Sequence, residues 1–235
     1  MRFLLSLVLF SGTFSISIGS LASASVVTFF TPVGSMVSDG AVNASATFTT
    51  SAGMLVVTLN DLLANPKSVG QLVSDLQFTL SGATGTGALT SSNAQQITIA
   101  SDGSSTTGLT GPTGWGFGSF GGGLILCVIC PGGLAQPPTA QPSQLIIGPG
   151  PYTNANGSIA GNGPHNPFLN QTSTFLITNA TITPSTTVTS ATFSFGTTPG
   201  VNVPGTAVPE PSSLILIGGG IFLLSLRSVL KKRYP

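Results

Sequence analysis

Short runs of β-branched and aromatic residues, alternating with small polar ones and punctuated by Gly, Pro, Asn and Asp, constrain the fold of this chain more than any other feature. In Thr192-Phe193-Ser194-Phe195, and similarly in Ala46-Thr47-Phe48-Thr49, an apolar side chain recurs at every second position, so in an extended chain these side chains share one face. Runs at 26–31, 44–50, 54–59, 76–80, 96–100, 124–129, 145–147, 174–178 and 188–195 are the strand candidates. An alternating strand buries one face and wets the other. Two antiparallel sheets packed face to face satisfy every such strand, and the expected fold is all-β: an antiparallel β-sandwich of jelly-roll-like type.

One stretch reads differently. Asn60 to Asn65 ends before Pro66, and Val69, Leu72 and Val73 follow at i, i+3 and i+4, with Pro66 suited to a first helical turn. The pattern implies a short helix at most. From 82 to 123 the composition shifts to Gly, Ser and Thr, with Gly114, Gly116, Gly118 and Gly121 to Gly123 set among Trp115, Phe117 and Phe120. This stretch and the Pro- and Gly-rich one from 131 to 163 are expected to be long loops, because such residues lose much backbone entropy on ordering. No fixed period recurs, so a repeat array is not expected.

Only 5% of the residues are charged, and their positions matter more than the net +1. Between Arg2 and Arg227 the one basic residue is Lys67, against Asp39, Asp61, Asp75, Asp102 and Glu210. A single cation over that length cannot neutralise a phosphate backbone, which excludes nucleic acid as a partner.

The two ends of the chain carry the membrane signals. Arg2, the apolar run that follows it, and Ala22-Ser23-Ala24 have the order of a secretory signal peptide, 1–24, with Ala22 and Ala24 as the small residues of the cleavage site. At the other end stand Val208, Pro209, Glu210 and Pro211, then an apolar run of Leu214, Ile215, Leu216, Ile217, Ile221, Phe222, Leu223, Leu224 and Leu226. A basic cluster of Arg227, Lys231, Lys232 and Arg233 follows it directly. The apolar core falls short of the roughly 20 residues that cross a bilayer, but a helix over about 212–230 reaches that length with Arg227 snorkelling to the headgroups. The cations mark the side retained in the cytoplasm. Two prolines around Glu210 keep that segment out of regular helix or sheet, extended just outside the membrane.

This ending, 208–235, resembles the PEP-CTERM sorting signal of Gram-negative bacteria: Pro209-Glu210-Pro211 matches the motif, the run from Leu214 to Leu226 the transmembrane part, and 227–233 the basic end. The resemblance implies that an exosortase, an integral-membrane cysteine transpeptidase-like enzyme, recognises and processes the tail. It also implies association with exopolysaccharide and biofilm. The basic end departs from the pattern in being interrupted by Ser228-Val229-Leu230 and closed by Tyr234-Pro235. Within the ectodomain, 25–207, the stretches 65–72 and 192–197 are also similar to other proteins with this tail.

Chemistry-bearing residues are few. Cys127-Val128-Ile129-Cys130 is the one C-x-x-C, and Pro131-Gly132-Gly133 follows it where a redox motif would begin a helix. A local disulfide in an oxidising compartment is the expectation, with catalytic and zinc-binding roles disfavoured. His165, the single histidine, lies in a turn sequence without a nucleophile-elbow context. Asp39 and Asp102 sit in Ser-Asp-Gly turns, so paired carboxylates for glycoside hydrolysis are not expected. Asn43, Asn156, Asn170 and Asn179 begin Asn-x-Ser/Thr triplets that arise by chance in so Ser/Thr-rich a chain. Trp115, Phe117 and Phe120 suit either a loop tucked over the sheet edge or an exposed platform for sugar rings, the former being favoured.

The chain therefore reads as an exported surface or extracellular-matrix protein without enzymatic activity, cofactor or metal. The alternative is a carbohydrate-binding surface module using the Gly-rich aromatic loop.

Overall fold

The computed structural model describes residues 24–208. The signal segment before Ala24 and the sorting tail from Pro209 onward lie outside the described residues.

The described chain is all-β. Its strands are β1 (Ser25–Phe30), β2 (Met36–Val37), β3 (Gly40–Ala41), β4 (Ala44–Ser51), β5 (Met54–Asp61), β6 (Val73–Ser81), β7 (Ala88–Ile99), β8 (Ser105–Gly111), β9 (Gly116–Phe120), β10 (Gly123–Cys127), β11 (Ile146–Ile147), β12 (Phe168–Thr178), β13 (Thr187–Phe195), β14 (Asn202–Pro204) and β15 (Thr206–Val208). All nine runs picked from alternation contain strand. The short helix reduces to one 3-10 turn, Val69–Gln71, because Gln71 folds back: its Oε1 accepts from the Lys67 and Ser68 N–H groups while its Nε2 donates to the Ala41 carbonyl. That clamp satisfies the donors a longer helix would have used.

The strands form two blocks, β14-β13-β6-β10-β9 and β8-β7-β12-β5-β4-β1-β15, bridged by β11, which pairs β6 on one side and β12 on the other. The small hairpin β2-β3 stands apart, turning at Ser38-Asp39. The blocks pack against each other through their apolar faces. Phe48 of β4 meets Phe78 of β6 at 5.2 Å between ring centroids, and Phe29 meets Phe48 edge-on at 5.9 Å. Alternation decides which residues take part: Leu55, Val57 and Leu59 of β5 are wholly buried, and the residues between them are not. The blocks end in the edge strands β14 and β9 and the edge strands β8 and β15, so the sheet does not close into a barrel. The all-antiparallel expectation fails at β11, which runs parallel to β12 because residues 148–167 cross back over to start β12 in the same direction.

The stretch 82–123, which reads as loop apart from the strand candidate at 96–100, holds β7, β8 and β9. β7 pairs with β12 through most of its length and with β8 on its other edge. Ladder hydrogen bonds on both sides hold a Ser/Thr-rich strand that has little apolar alternation of its own. In β9 the glycines are required by what crosses them: a Cβ on Gly116 would stand 2.7 Å from the Gln136 carbonyl oxygen. Gly121 and Gly122, both at positive φ, make the two-residue turn between β9 and β10.

Gln136 fastens the blocks at this edge. Its backbone exchanges hydrogen bonds with Phe117 of β9 at 2.7 and 3.1 Å. Its side-chain amide does the same with the backbone of Leu89 in β7, Oε1 accepting at 2.7 Å and Nε2 donating at 3.1 Å. One residue thus acts as a rung to both strands.

Candidate functional site

The sorting tail attaches to the fold through β15. Thr206, Ala207 and Val208 pair with Phe30, Phe29 and Thr28 of β1, and all three are exposed. Val208 is the last described residue, so Pro209 follows a sheet-edge strand with no intervening spacer. β1 is antiparallel to β15 and begins at Ser25, only three positions from Thr28. The chain therefore comes into the sheet and leaves it at one end of one edge. Ala24, the residue placed at the signal cleavage site, is exposed at the step into β1; Ala22 lies outside the described residues. So do Pro209, Glu210, Pro211, the apolar run and the basic cluster. Among the described residues no helix is long and apolar enough to cross a membrane.

The ectodomain stretches 65–72 and 192–197 come together. The Gly196 N–H donates to the Leu72 carbonyl at 2.9 Å, and a Cβ on Gly196 would lie 3.0 Å from the Gly70 Cα. Ser68 Oγ also donates to Asp39 of the β2-β3 turn, at 2.5 Å. The two glycines permit the close approach, which makes this pair of stretches a packing joint.

Cys127 and Cys130 form a disulfide, with Cα atoms 5.2 Å apart. The chain leaves β10 at Cys127 and turns, which brings together two residues that would face opposite ways in a continuing strand. The Val128 N–H donates to the Ser74 carbonyl and ties the turn to β6.

The remaining candidates are dispersed. His165 donates from Nδ1 to the Ser158 carbonyl at 2.8 Å, inside the turn that its sequence context predicts. Asp102 accepts from the Ser104 N–H in the β7-β8 turn, and its hydrogen bonds with Ser104, side chain first, hold its pKa below the ordinary carboxylate value. Asn179 locks a turn by donating to the Thr84 and Gly85 carbonyls. Among the described residues no group of His, Cys, Asp and Glu gathers as a metal site.

Two buried carboxyls were not singled out by sequence reasoning. Asp61 is fully enclosed at the end of β5; burial pushes its pKa well up, against hydrogen bonds from backbone groups of Leu63, Val73 and Gly148, and its Oδ2 has no partner. Asp75 of β6 is 2% exposed, and its Oδ1 is likewise unpartnered. Burial raises Asp75 to about 7, offset in part by a hydrogen bond with Ser194. An acid that buries this deeply favours its neutral form.

The aromatic loop is not a platform. Trp115 is 5% exposed, donates from Nε1 to the Gln144 carbonyl at 2.9 Å, and packs on Phe175 at 5.2 Å. Phe117 is buried too, leaving only Phe120 open to solvent.

No curated protein and no solved structure matches the chain. A family model does match, over residues 207–232, and it is that of the PEP-CTERM protein-sorting motif. Its span begins within β15 and covers the proline-flanked glutamate, the apolar run and the basic residues through Lys232. The chain carries a PEP-CTERM protein-sorting motif, the signal for exosortase-type sorting.

Proposed function

We propose that this chain is an exported surface or extracellular-matrix protein, built on a β-sandwich ectodomain, anchored by the apolar run 214–226, and delivered to the exterior when an exosortase-type membrane enzyme processes its tail. A structural role in an exopolysaccharide or biofilm matrix is the reading that the resemblance of the tail to the PEP-CTERM signal supports. The observation that carries the proposal is the position of the motif: it continues from an edge strand at the end of the sheet where the chain also comes in. The folded body and the membrane segment then share a single point of attachment, where a bilayer-embedded enzyme meets the motif without unfolding the core.

Replacing Glu210 by Ala tests the reading. The expected result is a product that keeps its tail mass and stays with the membrane fraction while the ectodomain retains native Trp115 fluorescence. Processing at the normal rate, with normal release, would overturn it. A carbohydrate-binding role through Trp115 and Phe117 finds no support in their buried positions.

A further inference from the structure

The disulfide turn has a neighbour that sorting does not use. Cys127 stands opposite Asp75 in the β10-β6 ladder, so the two side chains leave the sheet on the same face. Across β6 the partner of Asp75 is Ser194 of β13, and opposite Ser194 is Asn202 of β14. Cys127, Asp75, Ser194 and Asn202 thus form one row over four strands, on the face away from the core residues Leu76 and Phe78. Ser194 Oγ stands between Asn202, to whose Oδ1 it donates, and Asp75, whose rise it offsets only in part, while Asp75 Oδ1 has no hydrogen-bond partner. A carboxylic acid suits that position and a carboxylate does not. Beside the row lies a cavity of about 290 Å³, with Asp75, Gln77, Phe120, Pro131 and Asn202 in its wall, and Asp75 is the one titratable group among its lining residues.

The two sulfurs are placed unequally. Cys127 is fully buried, whereas Cys130 is partly exposed next to Pro131 of the cavity wall. An incoming thiolate therefore reaches Cys130, and the sulfur expelled is Cys127. A thiolate left in that enclosed position has no cation to stabilise it, since Lys67, the single cation among the described residues, is not in the cavity wall. The leaving sulfur needs a proton.

We propose that Cys127–Cys130 is an exchangeable disulfide, reduced by an external dithiol that attacks Cys130, with Asp75 as the proton donor to Cys127. The dithiol's thiolate bonds to Cys130 Sγ as the Cys127–Cys130 bond breaks. The electron pair passes to Cys127 Sγ, and the Asp75 carboxyl proton follows it. The second thiolate of the dithiol then attacks its own sulfur in the mixed disulfide and expels Cys130, which takes a proton from water. The dithiol ends oxidised, the protein disulfide ends reduced, and Asp75 regains its proton from water through the cavity. The absence of a helix at the motif, which argued against redox chemistry in the sequence, bears on stabilising an attacking thiolate. Proton supply to a buried leaving group is a different requirement, and burial of Asp75, which raises it to about 7, provides a donor in the neutral range.

The test is reduction of the full chain by dithiothreitol over roughly pH 5 to 9, with quenching, maleimide labelling and mass analysis of Cys127 and Cys130. Each rate is divided by the dithiothreitol thiolate concentration. For the wild type the normalised rate is expected to be level below about pH 7 and to fall above it. For Asp75→Asn the break disappears and the rate below pH 7 drops on the order of a hundredfold, the low end of what a positioned proton donor supplies. A level wild-type profile across the range, or an Asp75→Asn variant reduced at the wild-type rate, would overturn the proposal. If Asp75→Asn loses its native Trp115 fluorescence, the wild-type profile alone decides between the two outcomes.

Discussion

Raising the pH from about 4 to about 7.5 should weaken this fold, the reverse of what ion-paired carboxylates produce. In the folded chain Asp75 holds its proton up to about 7, against 3.8 for an ordinary aspartate. Below the lower value both folded and unfolded chains are protonated, and the full stability is present. Between the two values the unfolded chain has released a proton that the folded chain still binds, so stability declines with pH; above about 7 the contribution is gone. A displacement of a little over three pH units corresponds to about 4 kcal/mol. Asp61 is displaced in the same direction by the same cause and adds to the decline. Urea titration followed by the fluorescence of Trp115, the chain's one tryptophan, measures the effect. With a urea slope of about 1–3 kcal/mol per molar, the midpoint should fall by at least about 1 M across this range. Asp75→Asn is nearly isosteric and cannot ionise, so it should remove Asp75's share and leave the part due to Asp61. Stability that stays constant or rises with pH, or a decline of undiminished size in Asp75→Asn, would refute the reasoning.

Two further substitutions probe the packing. Trp115→Ala removes the ring packed on Phe175 and the donor to the Gln144 carbonyl, and should cost about 3–5 kcal/mol in a urea titration followed by circular dichroism, since the substitution removes the fluorophore. Gln136→Ala strips two hydrogen bonds from the Leu89 backbone and should cost about 1–3 kcal/mol, with faster amide exchange at Leu89 than at Leu176 in the centre of the sheet.

The sequence revealed strands where side chains differ sharply in polarity from one position to the next. β13 is legible because Phe193 and Phe195 alternate with Thr192 and Ser194, and β5 because Met54 to Leu59 is an apolar and β-branched run. β8 is not, since nearly all of its residues are exposed and no apolar contrast marks its faces. β9 was obscured by glycines whose purpose is the passage of residues 134–138 over them, which nothing local announces. The sorting motif was readable because its parts are contiguous. The row of Cys127, Asp75, Ser194 and Asn202 was not, because ladder register brings it together from four separated segments. The disulfide itself follows from spacing once the strand is known to end at Cys127.

Because Ser25 and Val208 lie at one end of the β1-β15 edge, the ladders fix what occupies the far end. β1 runs from Ser25, opposite Thr50, toward Phe30; the β4-β5 ladder carries that direction on to Asp61, and β12, β11 and β6 carry it to Val73 and Asp75. The disulfide turn and the cavity beside Asp75 are thus at the end of the sheet opposite the one where Ser25 and Val208 lie. If the chain is anchored by its tail as proposed, a molecule diffusing in from the surroundings meets that apex first, and the base from which the domain hangs faces the membrane.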